Sequence, residues 1–416
     1  MKKRLKSLFV ALYTTLRFKW FLALHKDKDA SVLILPPAPP GSLGDEALVT
    51  ATIEDLRDRG TKRIGVISYE PPLWWKNLDL VSGNIELHHH FLHGYLSSPK
   101  ALLHFQSLLR YYKQFYCIGA DVMDGYYSEQ DTLQRLKFVS LAIEMGADAA
   151  VLGFSFNDQP TSGSVEALRN LPQNVRLCAR DPVSYERLVH YLKRPVQLVA
   201  DLAFLLQPVY TSKGVLSVVK WIDEQRTKNR VVLGVNANYK LIENLKAQTL
   251  DNLTKIVVAT LVELYSRNKN LSFVLIPHDF RNIQGKNSDI VLAEAVWNAL
   301  PSEVQSFCLK VPTPCSAGEI KGIAGNLDIV LSGRMHLAIA CLGQGTPVAC
   351  ITYQGKFEGL FQHFELEGMT IEPKQALQPE NLVNFLMPLI EQRENIREHI
   401  RSRLPKVQKL VKANFD

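Results

Sequence analysis

Three things are scarce in this chain, and each scarcity removes a class of protein. The six cysteines (Cys117, Cys178, Cys308, Cys315, Cys341, Cys350) form no C-x-x-C pair and no zinc spacing, which argues against zinc ribbons and thioredoxin-type redox chemistry. Most sit inside apolar runs such as Phe115-Tyr116-Cys117-Ile118 and Val348-Ala349-Cys350-Ile351, as expected of buried free thiols in a reducing compartment. No run of ~18 uncharged apolar residues occurs, so no helix of spanning length is expected. Net charge is also scarce on the body of the molecule. The formal charge is +7, from 48 Lys+Arg against 41 Asp+Glu. Residues 1–30 alone hold eight basic residues (Lys2, Lys3, Arg4, Lys6, Arg17, Lys19, Lys26, Lys28) and two acidic ones (Asp27, Asp29), which leaves 40 against 39 for the rest. A nucleic-acid binder carries its basic patch on the folded body, so nucleic acid is disfavoured.

The N-terminal stretch has a character of its own. Lys2 to Lys6 followed by Leu8 to Leu16 resembles a short signal peptide, but no small-residue cleavage site follows. Arg17, Lys19, Trp20, Phe21 and Leu22 continue it as a basic, aromatic, amphipathic segment suited to lying on an anionic membrane surface. The competing reading is a first helix packed on the domain with its basic residues in water. The triplet His88-His89-His90 looks metal-like, but alternate side chains of a strand face opposite ways. Beyond Glu86 no acidic or cysteine ligand stands near it. No metal site and no resident cofactor are expected.

The chain has 416 residues of ordinary globular composition, and from Ser31 onward it alternates short β-rich runs with helical ones, the pattern of a parallel sheet covered on both faces. Strands read at Ser31–Leu35, Arg63–Ser68, Ile85–Phe91, Phe115–Ile118, Ala149–Phe154, Val175–Ala179 and Val196–Val199. Helices read near Asp45–Arg59, Leu133–Met145 and Pro182–Tyr191. After a looser stretch, Gln207–Gly214, the alternation restarts with strands at Val231–Val235, Phe273–Ile276, Phe307–Val311, Ile329–Leu331 and Val348–Thr352. The expected organisation is a basic extension (1–30), one Rossmann-like domain (31–206), a second (215–378) and a C-terminal helical tail (379–416). Two doubly wound α/β domains facing a cleft, with a C-terminal helix, make an architecture like that of the GT-B glycosyltransferases. Ligands of open α/β sheets sit outside the carboxyl ends of the strands.

Those ends carry the chemistry-bearing residues. The first reads Pro39-Pro40-Gly41-Ser42-Leu43-Gly44-Asp45-Glu46. Gly44 permits close backbone approach, and Asp45 is either a cleft carboxylate or the helix N-cap. Strand Phe115–Ile118 ends in Gly119-Ala120-Asp121, where the carboxylate is a candidate base or a turn cap. Val175–Ala179 ends in Arg180-Asp181, a fork for an anion or one half of a local salt bridge. Ala200-Asp201 repeats the pattern as support for the cleft. In the second half Pro277-His278-Asp279 follows an apolar strand, and Ile329–Leu331 runs into Ser332-Gly333-Arg334-Met335-His336 at a strand-to-helix junction. An arginine and a histidine there can hold an anion and supply a proton. Lys356 adds a cation at the same sheet edge, after Tyr353.

In this order the junctions resemble the polysaccharide pyruvyl transferase family. The residues that carry the resemblance are Gly44-Asp45-Glu46-Ala47, Arg180 before Ser184, Asp201-Leu202-Ala203-Phe204, Ser332-Gly333-Arg334-Met335-His336, and Thr346-Pro347-Val348 with Tyr353 and Lys356. Two features depart from the family pattern: Ile118-Gly119-Ala120 replaces a glycine-rich triplet, and the first loop is rich in proline. The resemblance implies transfer of the enolpyruvyl unit of phosphoenolpyruvate, a co-substrate, onto two hydroxyls of one sugar, with release of phosphate. It implies His336 as general acid, Asp121 as base and Lys356 as a further catalytic cation. Arg180, Arg334, Met335, Gly44 and Asp45 would line the substrate site, with the first domain on the acceptor side and the second on the donor side. The acceptor would be a lipid-linked or polymeric saccharide, and the protein cytoplasmic, on the inner face of the plasma membrane if its N-terminus binds lipid. Two rivals stay open: a nucleotide-sugar glycosyltransferase holding a ribose on Glu358 or Glu365, and a catalytically silent scaffold of polysaccharide assembly.

The N-terminal reading is directly testable. Deleting residues 2–28 should abolish binding to anionic liposomes while the remainder stays folded. Each basic residue at such a surface contributes ~1 kcal/mol, and the binding should fade at high salt. Aggregation of the truncated protein would instead place the segment in the core.

Overall fold

The computed structural model describes residues 30–38, 41–68, 85–89, 99–238, 249–281, 288–352 and 356–416. The basic N-terminal segment, His90 and Tyr353 lie outside the described residues. Seven strands make the first sheet: β1 (Ser31–Leu35), β2 (Arg63–Ser68), β3 (Ile85–His89), β4 (Gln114–Ala120), β5 (Asp148–Phe154), β6 (Arg176–Ala179) and β7 (Gln197–Leu198), in the spatial order 3-2-1-4-5-6-7. Six make the second: β8 (Val231–Asn236), β9 (Leu271–Leu275), β10 (Cys308–Lys310), β11 (Ile329–Ser332), β12 (Val348–Ile351) and β13 (Thr370–Ile371), in the order 10-9-8-11-12-13. Every pairing within the two sheets is parallel. The two-residue β13 was not legible as a strand.

The central strands are uninterrupted apolar runs because helices cover both faces of each sheet. All five residues of β1 and all four of β11 are buried. The covering helices are α1 (Leu43–Asp58), α2 (Pro99–Leu109), α3 (Glu129–Glu144), α4 (Ser162–Arg169) and α5 (Pro182–Leu192) in the first half. In the second they are α6 (Lys213–Arg226), α7 (Leu250–Arg267), α8 (Asp289–Ala299), α9 (Ala317–Ala324), α10 (Met335–Leu342) and α11 (Lys356–Gln362). Side-chain caps account for several starts: Ser128 for α3, Thr161 for α4, Asp181 for α5, and a full capping box, Ser316 with Glu319, for α9.

Strand order decides where a ligand can sit. The order of strand addition reverses between β1 and β4 in one sheet and between β8 and β11 in the other. Each reversal opens a crevice at the carboxyl ends of those strands. The two crevices face one another because the halves are clamped together. Ser42 and Asp279 form an antiparallel bridge, with Leu43 N donating to His278 O (3.3 Å) and Phe280 N to Gly41 O (2.9 Å). Glu46 in α1 accepts from Ala317 N at the start of α9 (3.0 Å). Burial drives the Glu46 carboxyl up to about 7. The buried Lys321 ammonium donates to Phe204 O (2.9 Å) and Ala203 O (3.3 Å), and burial pulls it down to about 8.

The expected single tail is two helices, α12 (Pro379–Glu391) and α13 (Arg393–Lys412). They separate because their apolar stripes serve different cores. Leu382, Val383, Leu386 and Ile390 pack on the second sheet's outer layer, whereas Ile396, Ile400, Val407 and Val411 join the core shared by both domains. The end of α13 is then pinned to the first domain. Asn414 donates to Ala200 O (3.0 Å), Gln197 to Ala413 O (3.0 Å), and Arg176 to Asn414 O (3.0 Å). Ile400 is fully buried in that shared core, so Ile400→Ala should destabilise the whole molecule by about 2–5 kcal/mol in one cooperative transition. Chemical denaturation followed by two probes checks this, and a biphasic curve would show the domains unfolding separately.

Candidate active site

The β1–α1 junction places Gly44 and Asp45. Ser42 caps α1, its Oγ accepting from Asp45 N (3.4 Å); the alternative in which Asp45 itself caps the helix does not hold. Asp45 sits in the first turn with its side chain directed to the cleft, 3.7 Å from Arg281 Nη1. Burial raises its pKa, and Arg281 and His336 oppose the rise. Gly44 has a stricter reason to be glycine than phosphate approach, since a Cβ there would collide with the His336 ring at Nδ1. Arg135 of α3 donates to Pro36 O (2.8 Å) and to Pro37 O, and so holds the proline-rich loop from beneath.

Arg180 ends β6, as expected, but it is no cleft-facing fork. It is 2% exposed, its Nη1 pairs with Asp201 Oδ2 (2.9 Å), its Nε donates to Ser155 Oγ (2.7 Å), and its Nη2 meets Met335 Sδ across the domain boundary (3.4 Å). Its own carbonyl hydrogen-bonds His363 Nε2 (3.0 Å). Asp181, the neighbour considered as its partner, caps α5 instead, accepting from Ser184 N (2.8 Å). Arg180 and Met335, both expected to contact substrate, therefore contact each other.

Arg334 stands at the β11–α10 junction in a turn closed by Ser332 Oγ, which accepts from Arg334 N (3.0 Å). Asp289, the first residue of α8, takes two of its N–H groups (Nη2 to Oδ1, 2.7 Å; Nε to Oδ2, 3.2 Å), and Asp279 takes a third (3.1 Å). Asp279 is also bound by Arg281 (2.7 Å). Burial raises the Asp279 carboxyl, but Arg281 and Arg334 outweigh it and hold it at about 2. His278 is held down at about 3 by burial and by the His336 and Arg334 charges. Asp289 was missed in the sequence: an aspartate at a helix start carries no signal that distinguishes it from an ordinary helix-terminal acid.

His336 lies at the meeting point. Its Nε2 is buried without a hydrogen bond and stands 3.8 Å from Asp201 Oδ2, too far for one. Burial lowers its pKa and the Arg180 charge adds to that, against the pull of Asp201, Asp45 and Asp121. On the opposite wall Asp121 follows Ala120, whose φ of 46° is in the left-handed region that residues with a Cβ rarely adopt. Lys356 at the start of α11 reaches across to Asp121 Oδ2 (2.8 Å), and the Tyr127 hydroxyl donates to the same oxygen (3.1 Å). Burial pushes the Asp121 carboxyl up, but Lys356 and Arg180 overcome it and hold the group well below the usual carboxylate range.

The eight expected residues Gly44, Asp45, Asp121, Arg180, Arg334, Met335, His336 and Lys356 thus gather around one cleft, linked by direct contacts or by electrostatic coupling. Of the two glutamates considered for a ribose, Glu358 is exposed on α11 and Glu365 is ion-paired with Arg403 of α13. Among the described residues no group of three or more His, Cys, Asp or Glu side chains is placed to hold a metal ion, and no helix is long and apolar enough to cross a membrane. The buried Arg180–Asp201 pair yields a clean prediction. Arg180→Ala leaves an uncompensated carboxylate and should lower stability by about 3–5 kcal/mol, read from the urea midpoint. An unchanged midpoint would mean that the pair does not hold the cleft together.

Comparison with solved structures agrees with the two-domain architecture. A glycosyltransferase from Rickettsia africae superposes with a TM-score of 0.55 at 12% identity, covering 93% of this chain and 98% of the other. A UGT transferase from Siraitia grosvenorii, in complex with UDP, gives 0.56 at 13%, covering 92% and 95%. A protein from Listeria monocytogenes assigned as a UDP-N-acetylglucosamine 2-epimerase gives 0.59 at 8%, covering 90% and 92%. At these identities the likeness shows the GT-B-type α/β fold and nothing about the reaction. No curated protein sequence matches the chain. The profile of one family does match, over residues 43–355, a span running from the first residue of α1 to the edge of α11 and enclosing the expected site residues other than Lys356. The chain belongs to the polysaccharide pyruvyl transferase family.

Proposed function

We propose that the protein transfers the enolpyruvyl unit of phosphoenolpyruvate onto two hydroxyls of one sugar, forming a pyruvate ketal and releasing phosphate. The observation that carries this reading is the position of His336. It sits between the Arg180–Asp201 pair and the first turn of α1, with a buried nitrogen making no hydrogen bond. A donor with a phosphate and a carboxylate calls for cations, and Arg334, Arg281 and Lys356 belong to the same cleft, each already oriented by a carboxylate.

The chemistry follows from these placements. Imidazolium at His336 gives its proton to the methylene carbon of the donor, and the adjacent carbon becomes an oxocarbenium. The first sugar hydroxyl adds there and loses its proton. Phosphate then departs with the C–O bonding pair and a second oxocarbenium forms. The second hydroxyl adds, loses its proton, and closes the ketal. Asp121 is held ionised by Lys356. It is a weak base, but a hydroxyl adding to an oxocarbenium becomes strongly acidic as the bond forms, so a weak, fixed carboxylate suffices. The first domain would hold the saccharide, lipid-linked or polymeric, and the second the donor. The setting would be cell-surface or exopolysaccharide assembly on the cytoplasmic side of the membrane.

Two measurements test the role of His336. The free protein keeps its pKa below the ordinary histidine value, so the ring is neutral at pH 7. A bound phosphate raises it, so donor binding should take up a proton and weaken as pH rises. Calorimetric titration in buffers of different ionisation enthalpy reads that uptake, which should vanish in His336→Asn. The same variant should lower phosphate release by roughly 10²–10⁴ with a much smaller loss of donor affinity. Normal turnover in His336→Asn would remove the assignment and make Lys356 the next candidate acid.

A further inference from the structure

The loop after β4 carries a feature that the reaction chemistry leaves unused. Tyr126 and Tyr127 are each 49% exposed. Their rings meet edge to face, with centroids 5.2 Å apart at 89°. Exposed tyrosines are common at surfaces, but this pair is built into place. Asp124, 1% exposed, accepts from Tyr126 N (3.0 Å) and from Asn157 N (3.2 Å), while its carbonyl accepts from Thr161 N (2.9 Å). Gly125 between them has φ +79°, and a Cβ there would collide with the Thr161 and Ser164 side chains at the start of α4. The loop has no slack. Tyr127 is fixed at its far end as well, its hydroxyl donating to Asp121 and accepting from Lys356 Nζ (3.3 Å), which also lies 5.1 Å from its ring centroid.

A rigid aromatic surface therefore borders the carboxylate at the mouth of the cleft, on the wall opposite His336. Such a surface favours a ligand with one apolar face and a hydroxylated edge. The C–H face of a pyranose ring covers the aromatic ring, and its hydroxyls reach the adjacent carboxylate. A phosphate placed against this platform would meet the Asp121 carboxylate, whose closest cation, Lys356, is already paired with it. We infer that Tyr126 and Tyr127 form the platform on which the acceptor sugar stacks, presenting its hydroxyl pair to Asp121. This deepens the proposed reaction and rests on it for the identity of the acceptor. It adds that recognition works through the ring face of a single sugar beside Asp121.

The test uses the full chain, phosphoenolpyruvate and a set of methyl pyranosides. Tyr126→Ala should raise the acceptor KM by about tenfold while the donor KM and the turnover at saturating acceptor stay near wild type. Tyr126→Phe should restore the wild-type value. Tyr111→Ala removes an equally accessible tyrosine at the opposite end of β4 and should change nothing. Saturation-transfer NMR on the same sugars, without donor, should mark the protons of one ring face, and that signal should fade in Tyr126→Ala. If wild type makes ketal but Tyr126→Ala keeps its acceptor KM, or raises both substrates' KM equally, the platform is overturned and the reaction stands. If wild type makes no ketal with any sugar, yet the face-selective signal is present and lost in the variant, the reaction reading falls and the platform stands. A signal that UDP abolishes and that returns unchanged in Tyr126→Ala would overturn the platform in favour of a nucleotide site.

Discussion

A single buried ion pair fixes the geometry of the cleft. Arg180 and Asp201 are almost wholly out of solvent, with side chains 1% exposed. Taking both charges from water is expensive, and the attraction between them offsets this only where other hydrogen bonds complete the site. Here they do. Ser155 at the end of β5 accepts from the arginine, and Ala203 N in the short 3-10 turn donates to Asp201 (2.9 Å). The sulfur of Met335 brings in the second domain, and His363 of the α11–β13 connection hydrogen-bonds the arginine's carbonyl. A well-packed apolar substitute could match the stability. It could not fix a histidine from the other domain within 4 Å of a carboxylate, and that placement is what the pair contributes.

The rest of the cleft is organised by the same means. Arg281, Arg334 and Lys356 are each held by aspartates, so each guanidinium or ammonium is aimed before any anion arrives. Fixed cations stabilise developing charge without reorganising at the moment of reaction. The arrangement has a consequence for affinity. An incoming anion gains only the difference between its own contact and the contact it shares with, or takes from, an aspartate. Tight ground-state binding is traded for orientation, the more useful property for the proton transfer to carbon proposed above.

Much of the fold was legible because a parallel sheet writes itself in apolar runs of four to seven residues. The β1, β2 and β4 to β12 strands were found within a residue or two, and the strand ends directed attention to the loops that border the cleft. Less could be read where a residue's role depends on a partner distant in sequence. Asp289 lies 45 positions from Arg334, and nothing in its neighbourhood announces that pairing. Gly44 read only as room for close backbone approach, because the residue it touches, His336, arrives from another domain. Arg180 read as an anion fork because burial at a strand end and exposure at a strand end look alike along one chain. Tyr126 and Tyr127 carried no signal, because their meaning comes from a rigid loop and from what stands beside it.

The position of α13 bears on the order of events during synthesis. Its apolar stripe and the residues just beyond it complete the covering of the first domain, through Gln197, Ala200 and Arg176. The first sheet is finished at Leu198. At ribosomal rates of ~5–20 residues per second, about 200 residues of delay correspond to roughly 10–40 s before that cover arrives. During this interval the nascent first domain has its sheet but lacks part of its lid, and apolar residues such as Val199 and Leu202 face whatever is nearby. The cover of the first domain is therefore complete only once the second domain and α13 have both been made.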